Sequence, residues 1–294
     1  MGRSIFIKTV GLLYLVVAMI GAMTAALLQK IFGFNIVTAI VIVLVAAIPV
    51  TAVVFALLMN GEKNSKAGRL HTEFLKELVN NGYSQRFLQI TEEAVNAKLN
   101  GEKIGTVYLR DFVLYAADYY NLTRNYNKAL SLIQNLSEFD FTGTSDKFID
   151  QGLSAMMYYS ALMDSYRGLG DKMSASNMIK RAAPILNREY KIATMNMGAE
   201  ALYYNYCMLT EDYERAGEYA AKLASYNTPE ADKYFVRFFI EAEYLMHQGK
   251  RDEAAAALKK MEPVIEKGGD LKKAMEFCYN QYWVLLGLKE QNQE

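Results

Sequence analysis

The sequence predicts an all-α protein: a two-helix transmembrane hairpin followed by an α-solenoid of helical hairpins. Three observations carry this. Residues 10–28 and 36–59 are apolar and uncharged throughout. The rest is rich in Ala, Leu, Met, Glu and Lys with little β-branched alternation, which favours helix over strand. Within it, similar segments return at intervals of 46, 41 and 38 residues. At 294 residues, 52% apolar and 22% charged, the chain has the composition of a folded protein with room for one or two domains.

Both apolar runs reach the roughly 18–20 residues that a helix needs to cross a bilayer core. A cleaved signal peptide has a shorter core, of about 7–15 residues, so both spans are expected to be retained. Arg3 and Lys8 precede the first span, Lys63, Lys66 and Arg69 follow the second, and only Lys30 lies between them. The positive-inside rule then places both termini in the cytoplasm of a multi-pass protein of the cell membrane. In that orientation the sequons at Asn121 and Asn135 are chance matches. Neither span contains an ionisable residue, so anchoring is the expected role. Ala18, Gly21, Ala22 and Ala25 form a small-residue face through which copies could associate. The expected organisation is 1–60 hairpin, 61–68 polar linker and 69–294 repeat domain.

The formal net charge of zero averages unlike parts. Residues 1–60 hold three basic residues and no acid; removing these three from the 32 basic residues leaves 29 against 32 acids. This mildly acidic remainder argues against a nucleic-acid partner, which calls for a basic surface. Cys207 and Cys278, far apart and within apolar helical patterns, read as buried thiols.

The returning segments are YYNLTRNYNKALSLIQNL (119–136), YRGLGDKMSASNMIKRA (166–182), YCMLTEDYERAGEYAAKL (206–223) and YLMHQGKRDEAAAALKKM (244–261), aligned on Ala129, Ala175, Ala216 and Ala254. Periods of this size mark stacked hairpins, each too small to bury its own apolar face. A small residue early in the second helix lets the two helices approach, and a Gly or Asn/Asp before it permits the reversal. Residues 69–99 fit an earlier hairpin without the alanine, and 271–289 a closing helix.

At these residues the chain resembles the tetratricopeptide repeat family. Tyr120 and Tyr166 match its first-helix tyrosine, Gly170 and Gly249 its turn glycine, and the four alanines its second-helix alanine. Cys207 and Leu245 replace the tyrosine and Arg124 and Glu211 the glycine elsewhere, and the spacing exceeds the family's usual length. The resemblance implies that first helices line a concave groove, faced by Asp118, Asp164, Asn205 and Glu243 two residues before the tyrosine site. Such a row would favour a basic, extended or helical peptide by field focusing and charge-assisted hydrogen bonds; the alternative is ordinary solvated helix positions. The lysine-and-asparagine pair with which some members hold a terminal carboxylate has no counterpart, since Leu114 and Asp118 stand at its first two positions. Tyrosines crowd the first helices; most read as packing, with groove-facing ones, Tyr115 and Tyr159 among them, as contact candidates.

No catalytic signature is present: no phosphate loop, no Gly-x-Ser-x-Gly, no His-Glu-x-x-His. His71 and His247 stand alone, and no cofactor or metal is implied. The expected function is a membrane-tethered scaffold or adaptor, not an enzyme, whose cytosolic repeat domain binds a protein or peptide. The alternative is an oligomeric membrane pore or transporter subunit in which the repeats regulate.

Overall fold

A helical hairpin must reverse its chain in very few residues while satisfying the carbonyls orphaned at the end of its first helix, and here the same solution appears four times. A computed structural model describes residues 41, 65–102, 104–138, 141, 152–231 and 234–289. At the four turns Arg124, Gly170, Glu211 and Gly249 adopt left-handed φ angles of 62°, 70°, 65° and 77°. The next residue in each, Asn125, Asp171, Asp212 or Lys250, returns its N–H to the carbonyl five residues back, on Tyr120, Tyr166, Cys207 or Leu245, at 2.7–2.9 Å. These acceptors are the tyrosine-site positions of the sequence alignment. The same four residues then accept the N–H of Ala129, Ala175, Ala216 and Ala254, and each alanine is fully buried.

The elements follow in order: α1 (Lys66–Asn81), α2 (Gln85–Leu99), α3 (Thr106–Leu122), α4 (Tyr126–Ile133), α5 (Leu153–Leu169), α6 (Lys172–Leu186), α7 (Ala193–Thr210), α8 (Tyr213–Ser225), α9 (Val236–His247), α10 (Arg251–Lys259), α11 (Glu262–Glu266) and α12 (Lys272–Leu285), the last entered through the short 3-10 turn Gly269–Leu271. There is no strand among the described residues. Starts are capped where sequence chemistry permits: Ser65, Ser84, Asp171 and Asp212 accept backbone N–H groups through their side chains. Pro184 lies within α6, near its end.

Each first helix packs on its own second helix, and α2, α4, α6 and α8 each pack on the first helix of the following hairpin. The first helices also pack in series, α1 on α3, α3 on α5, α5 on α7 and α7 on α9. This is the all-α, repeat-like arrangement that the spacing predicts.

The closing helix does more than cover the last apolar face. Besides α10 and α11, α12 packs against α1 and α3, at the opposite end of the series. Phe277 stacks on Tyr119 of α3 and lies beside Tyr83, and Tyr282 stacks on Phe239 of α9 at 4.1 Å. Backbone comes close too: a Cβ on Gly82, just after α1, would lie 2.8 Å from the Lys273 carbonyl oxygen. At its far end Arg251 donates to the Gly287 carbonyl at 2.8 Å.

Cys207 and Cys278 are buried free thiols. The spans at 10–28 and 36–59 lie outside the described residues but for Val41, as does the first half of the linker, 61–64; among the described residues no helix is long and apolar enough to cross a membrane.

Candidate functional site

Side chains three, four or seven residues apart on a helix share a face, so the inner faces of consecutive first helices converge wherever those helices pack side by side. Asp118 of α3, Asp164 of α5, Asn205 of α7 and Glu243 of α9 all border one cavity of about 740 Å3. Its apolar walls include Met156, Leu202, Ile240 and Phe239, and α12 contributes Tyr282 and Leu285. A second chamber of about 270 Å3 lies toward α12 and is walled by apolar groups such as Leu114, Phe235, Met275 and Cys278. Asp118, Asp164, Ser160, Met157, Val236 and Tyr282 border both chambers, so the two aspartates sit where the chambers meet.

The four polar residues differ in what they bond. Glu243 pairs with Arg167 at 2.8 Å, with both side chains about four-fifths buried. Arg167 also donates to Asn205 Oδ1 at 2.7 Å, and Asn205 Nδ2 donates to Asp164 Oδ1 at 2.9 Å. A chain of charge and amide thus runs Glu243, Arg167, Asn205, Asp164, with the one cation consumed at its Glu243 end. Among the described residues Asp118 accepts only the Tyr83 hydroxyl, at 2.6 Å on Oδ2. No cation among the described residues lies within ion-pair distance of Asp118 or Asp164. One oxygen of Glu243 and the neighbouring Tyr204 hydroxyl are buried without a hydrogen bond of ordinary geometry among the described residues.

The electrostatic consequence follows from depth. Both aspartates keep some surface toward the cavity but lie deep among protein atoms. Loss of hydration disfavours their charged forms. Burial lifts the Asp118 carboxyl above its ordinary range, and the Tyr83 hydrogen bond opposes part of that. Asp164 is pushed up to about 7, first by burial and then by the negative charge of Asp118; Arg167 opposes this and Glu243 adds to it. The Cys278 thiol is driven well above its ordinary range by burial and by Asp118.

The two tyrosines singled out from sequence part company. Tyr115 borders the smaller chamber. Tyr159 is fully buried and donates to Glu138 at 2.7 Å, away from both chambers. Of the other crowded tyrosines, Tyr120, Tyr158 and Tyr204 are buried in the packing.

Sequence reasoning passes over Arg167, Tyr83 and Tyr282. Arg167 has a local signal: it lies three residues after Asp164 on the same helix, and hence on the same face. Tyr83, in the turn between α1 and α2, reaches Asp118 of the next hairpin, and Tyr282 reaches the cavity because α12 folds back over α1 and α3; no local pattern encodes the latter. The isolated histidines are also engaged elsewhere, His71 with Asp111 at 2.7 Å and His247 stacked on Tyr213.

Among the described residues no group of three or more His, Cys, Asp or Glu is placed to hold a metal ion. Comparison of the chain with protein-family models, curated proteins and solved structures gives no match.

Proposed function

We propose that the chain is a membrane-tethered binding module, held at the bilayer by the hairpin at 1–60, whose tetratricopeptide-like repeats receive part of a protein or peptide partner in their central cavity. The supporting observation is that Asp118, Asp164, Asn205 and Glu243, chosen by repeat register alone, border one chamber. Concave sites with apolar walls and a few convergent polar groups are where ligands usually bind. Tethering would then raise the partner's concentration at the membrane.

Binding suits these groups better than catalysis. One candidate nucleophile, Cys278, borders the smaller chamber, and burial pushes its thiol well above the ordinary range, whereas thiol attack requires the thiolate. The Arg167 guanidinium is tied to Glu243 and Asn205, leaving it little freedom to follow a developing charge.

The test is crosslinking of the full-length chain in native membranes, followed by identification of what is captured. A specific partner is expected, with recovery falling when Ser160→Trp fills the chamber junction. Recovery of no specific partner by the unmodified full-length chain would sink the proposal.

A further inference from the structure

Three features of the cavity narrow what it can accept. The first is sign. Three carboxyl side chains border the larger chamber, and the deep cation, Arg167, is already paired with Glu243. Arg124 also borders it but is an exposed side chain whose guanidinium donates to the Leu285 carbonyl at 3.4 Å. Asp118 and Asp164 therefore lack a counter-charge where hydration is poor, and an unpaired buried carboxylate is costly until a cation or a proton reaches it.

The second is placement. The pair lies at the junction of the chambers, so a ligand charge held there can direct its uncharged part into the smaller, mostly apolar one. The third is size. At about 270 Å3 that chamber falls just under the roughly 300 Å3 at which drug-sized sites begin. It suits one slender side chain or a small molecule and does not admit a helix.

We infer, resting on the reading of this cavity as the binding site, that the chamber junction recognises an organic ammonium ion carried on a slender apolar stem. Oδ1 of Asp118 and Oδ2 of Asp164 are not engaged by their Tyr83 and Asn205 partners, and Ser160 borders the same place. Together they offer acceptors for the three N–H donors of an ammonium group. Leu114, Phe235 and Met275 receive the stem. The ion would come either from a lysine side chain of the partner or from a free amine.

The experiment is titration calorimetry on the full-length protein in detergent at pH 8, with n-hexylamine, n-hexanol and Nα-acetyl-lysine methylamide as probes. Hexylamine is expected to bind saturably, at least about tenfold more tightly than hexanol, in keeping with the added strength of charge-assisted hydrogen bonds. Asp118→Asn and Asp164→Asn should each bring it down to the alcohol's level, while Glu92→Gln, in an exposed pair with Lys128, should change nothing. Competition by the lysine amide assigns the site to a side chain; its absence, with hexylamine bound, assigns it to a free amine. Equal binding of amine and alcohol to the unmodified protein overturns the inference even if the variants fail to fold, and so does amine binding unaltered in both variants. A partner captured equally by wild type and Asp118→Asn, with hexylamine still bound in wild type, would remove the cavity from partner capture and leave the ammonium site standing.

Discussion

Asp164→Asn replaces a carboxylate by an amide of nearly the same shape. The new side chain can still accept from Asn205 Nδ2, as Asp164 does at 2.9 Å, so the change isolates the charge. The groups facing it are Asp118 from α3, Tyr126 from α4, Arg167 on its own helix, Glu243 from α9, Tyr282 from α12 and Tyr234. Burial and the Asp118 charge carry the carboxyl from its ordinary 3.8 to about 7. At about 1.4 kcal/mol per pH unit this corresponds to at most about 4 kcal/mol of destabilisation once the group is ionised. Cavity water and residual order in the unfolded chain reduce it, and about 2–3 kcal/mol is the expected effect.

The sign is set by which state holds the proton. Between about pH 4 and 7 the folded chain keeps a proton on Asp164 that the unfolded chain has released, so stability falls as pH rises through that window and levels off above it. The asparagine variant lacks this contribution. Urea denaturation of full-length protein in detergent, followed by far-UV circular dichroism, should find the variant more stable at pH 8 by that amount and only about 1 kcal/mol or less more stable than wild type at pH 4.5. A variant no more stable than wild type at pH 8, or a difference that stays constant with pH, would refute the reasoning that Asp164 is a buried carboxylate without a counter-ion.

Other outcomes follow from individual contacts and are read from the same denaturation curves. Arg167→Met should cost about 3–5 kcal/mol, because Glu243 is left buried without its partner; adding Glu243→Gln should recover much of it. Gly82→Ala should cost about 2–3 kcal/mol, combining a left-handed φ of 66° with a Cβ only 2.8 Å from the Lys273 carbonyl oxygen. Gly101→Ala, at φ 84° but with nothing within 4 Å, should cost only about 1–2 kcal/mol. Glu211→Gly should be neutral or slightly stabilising, since it relieves a left-handed glutamate while giving up only an exposed, solvent-screened pair with Lys172. Ala175→Leu should destabilise by about 1–3 kcal/mol, because the alanine is fully buried where α5 and α6 meet.

The hairpins were legible because their determinants are local. Four alanines align in the sequence, and each is fully buried and bonded to the residue four before it. The two turns without glycine keep the backbone of the two that have it: Arg124 and Glu211 are the only described non-glycine residues with positive φ. That explains how the alignment survives the substitutions. A Schellman-type end needs one left-handed residue, and an exposed long side chain supplies it at a cost of about 1–2 kcal/mol. Tyrosine assignment was harder, since the same residue type serves in core and cavity. Tyr115 and Tyr159 lie on adjacent first helices yet face different surroundings, and the difference is set by which helix lies opposite.

The path of α12 was not legible, and it changes what the inner face is. An open row of first helices presents its polar positions to bulk water, where exposed carboxylates keep ordinary acidity and attract cations only weakly through salt. With α12 laid from α10 back to α1 and α3, the same positions border a partly open cavity that Tyr282 and Leu285 also line. The contacts that hold α12 there, Phe277 on Tyr119 and Tyr282 on Phe239, join parts of the chain far apart in sequence. Hydrophobic periodicity says that α12 has an apolar face but not which surface will cover it. Burial takes water from two carboxyls that form no ion pair with an arginine or lysine among the described residues, and together with the Asp118 charge it pushes Asp164 up to about 7. The repeats determine where the acidic side chains lie; the returning helix adds to the protein that surrounds them.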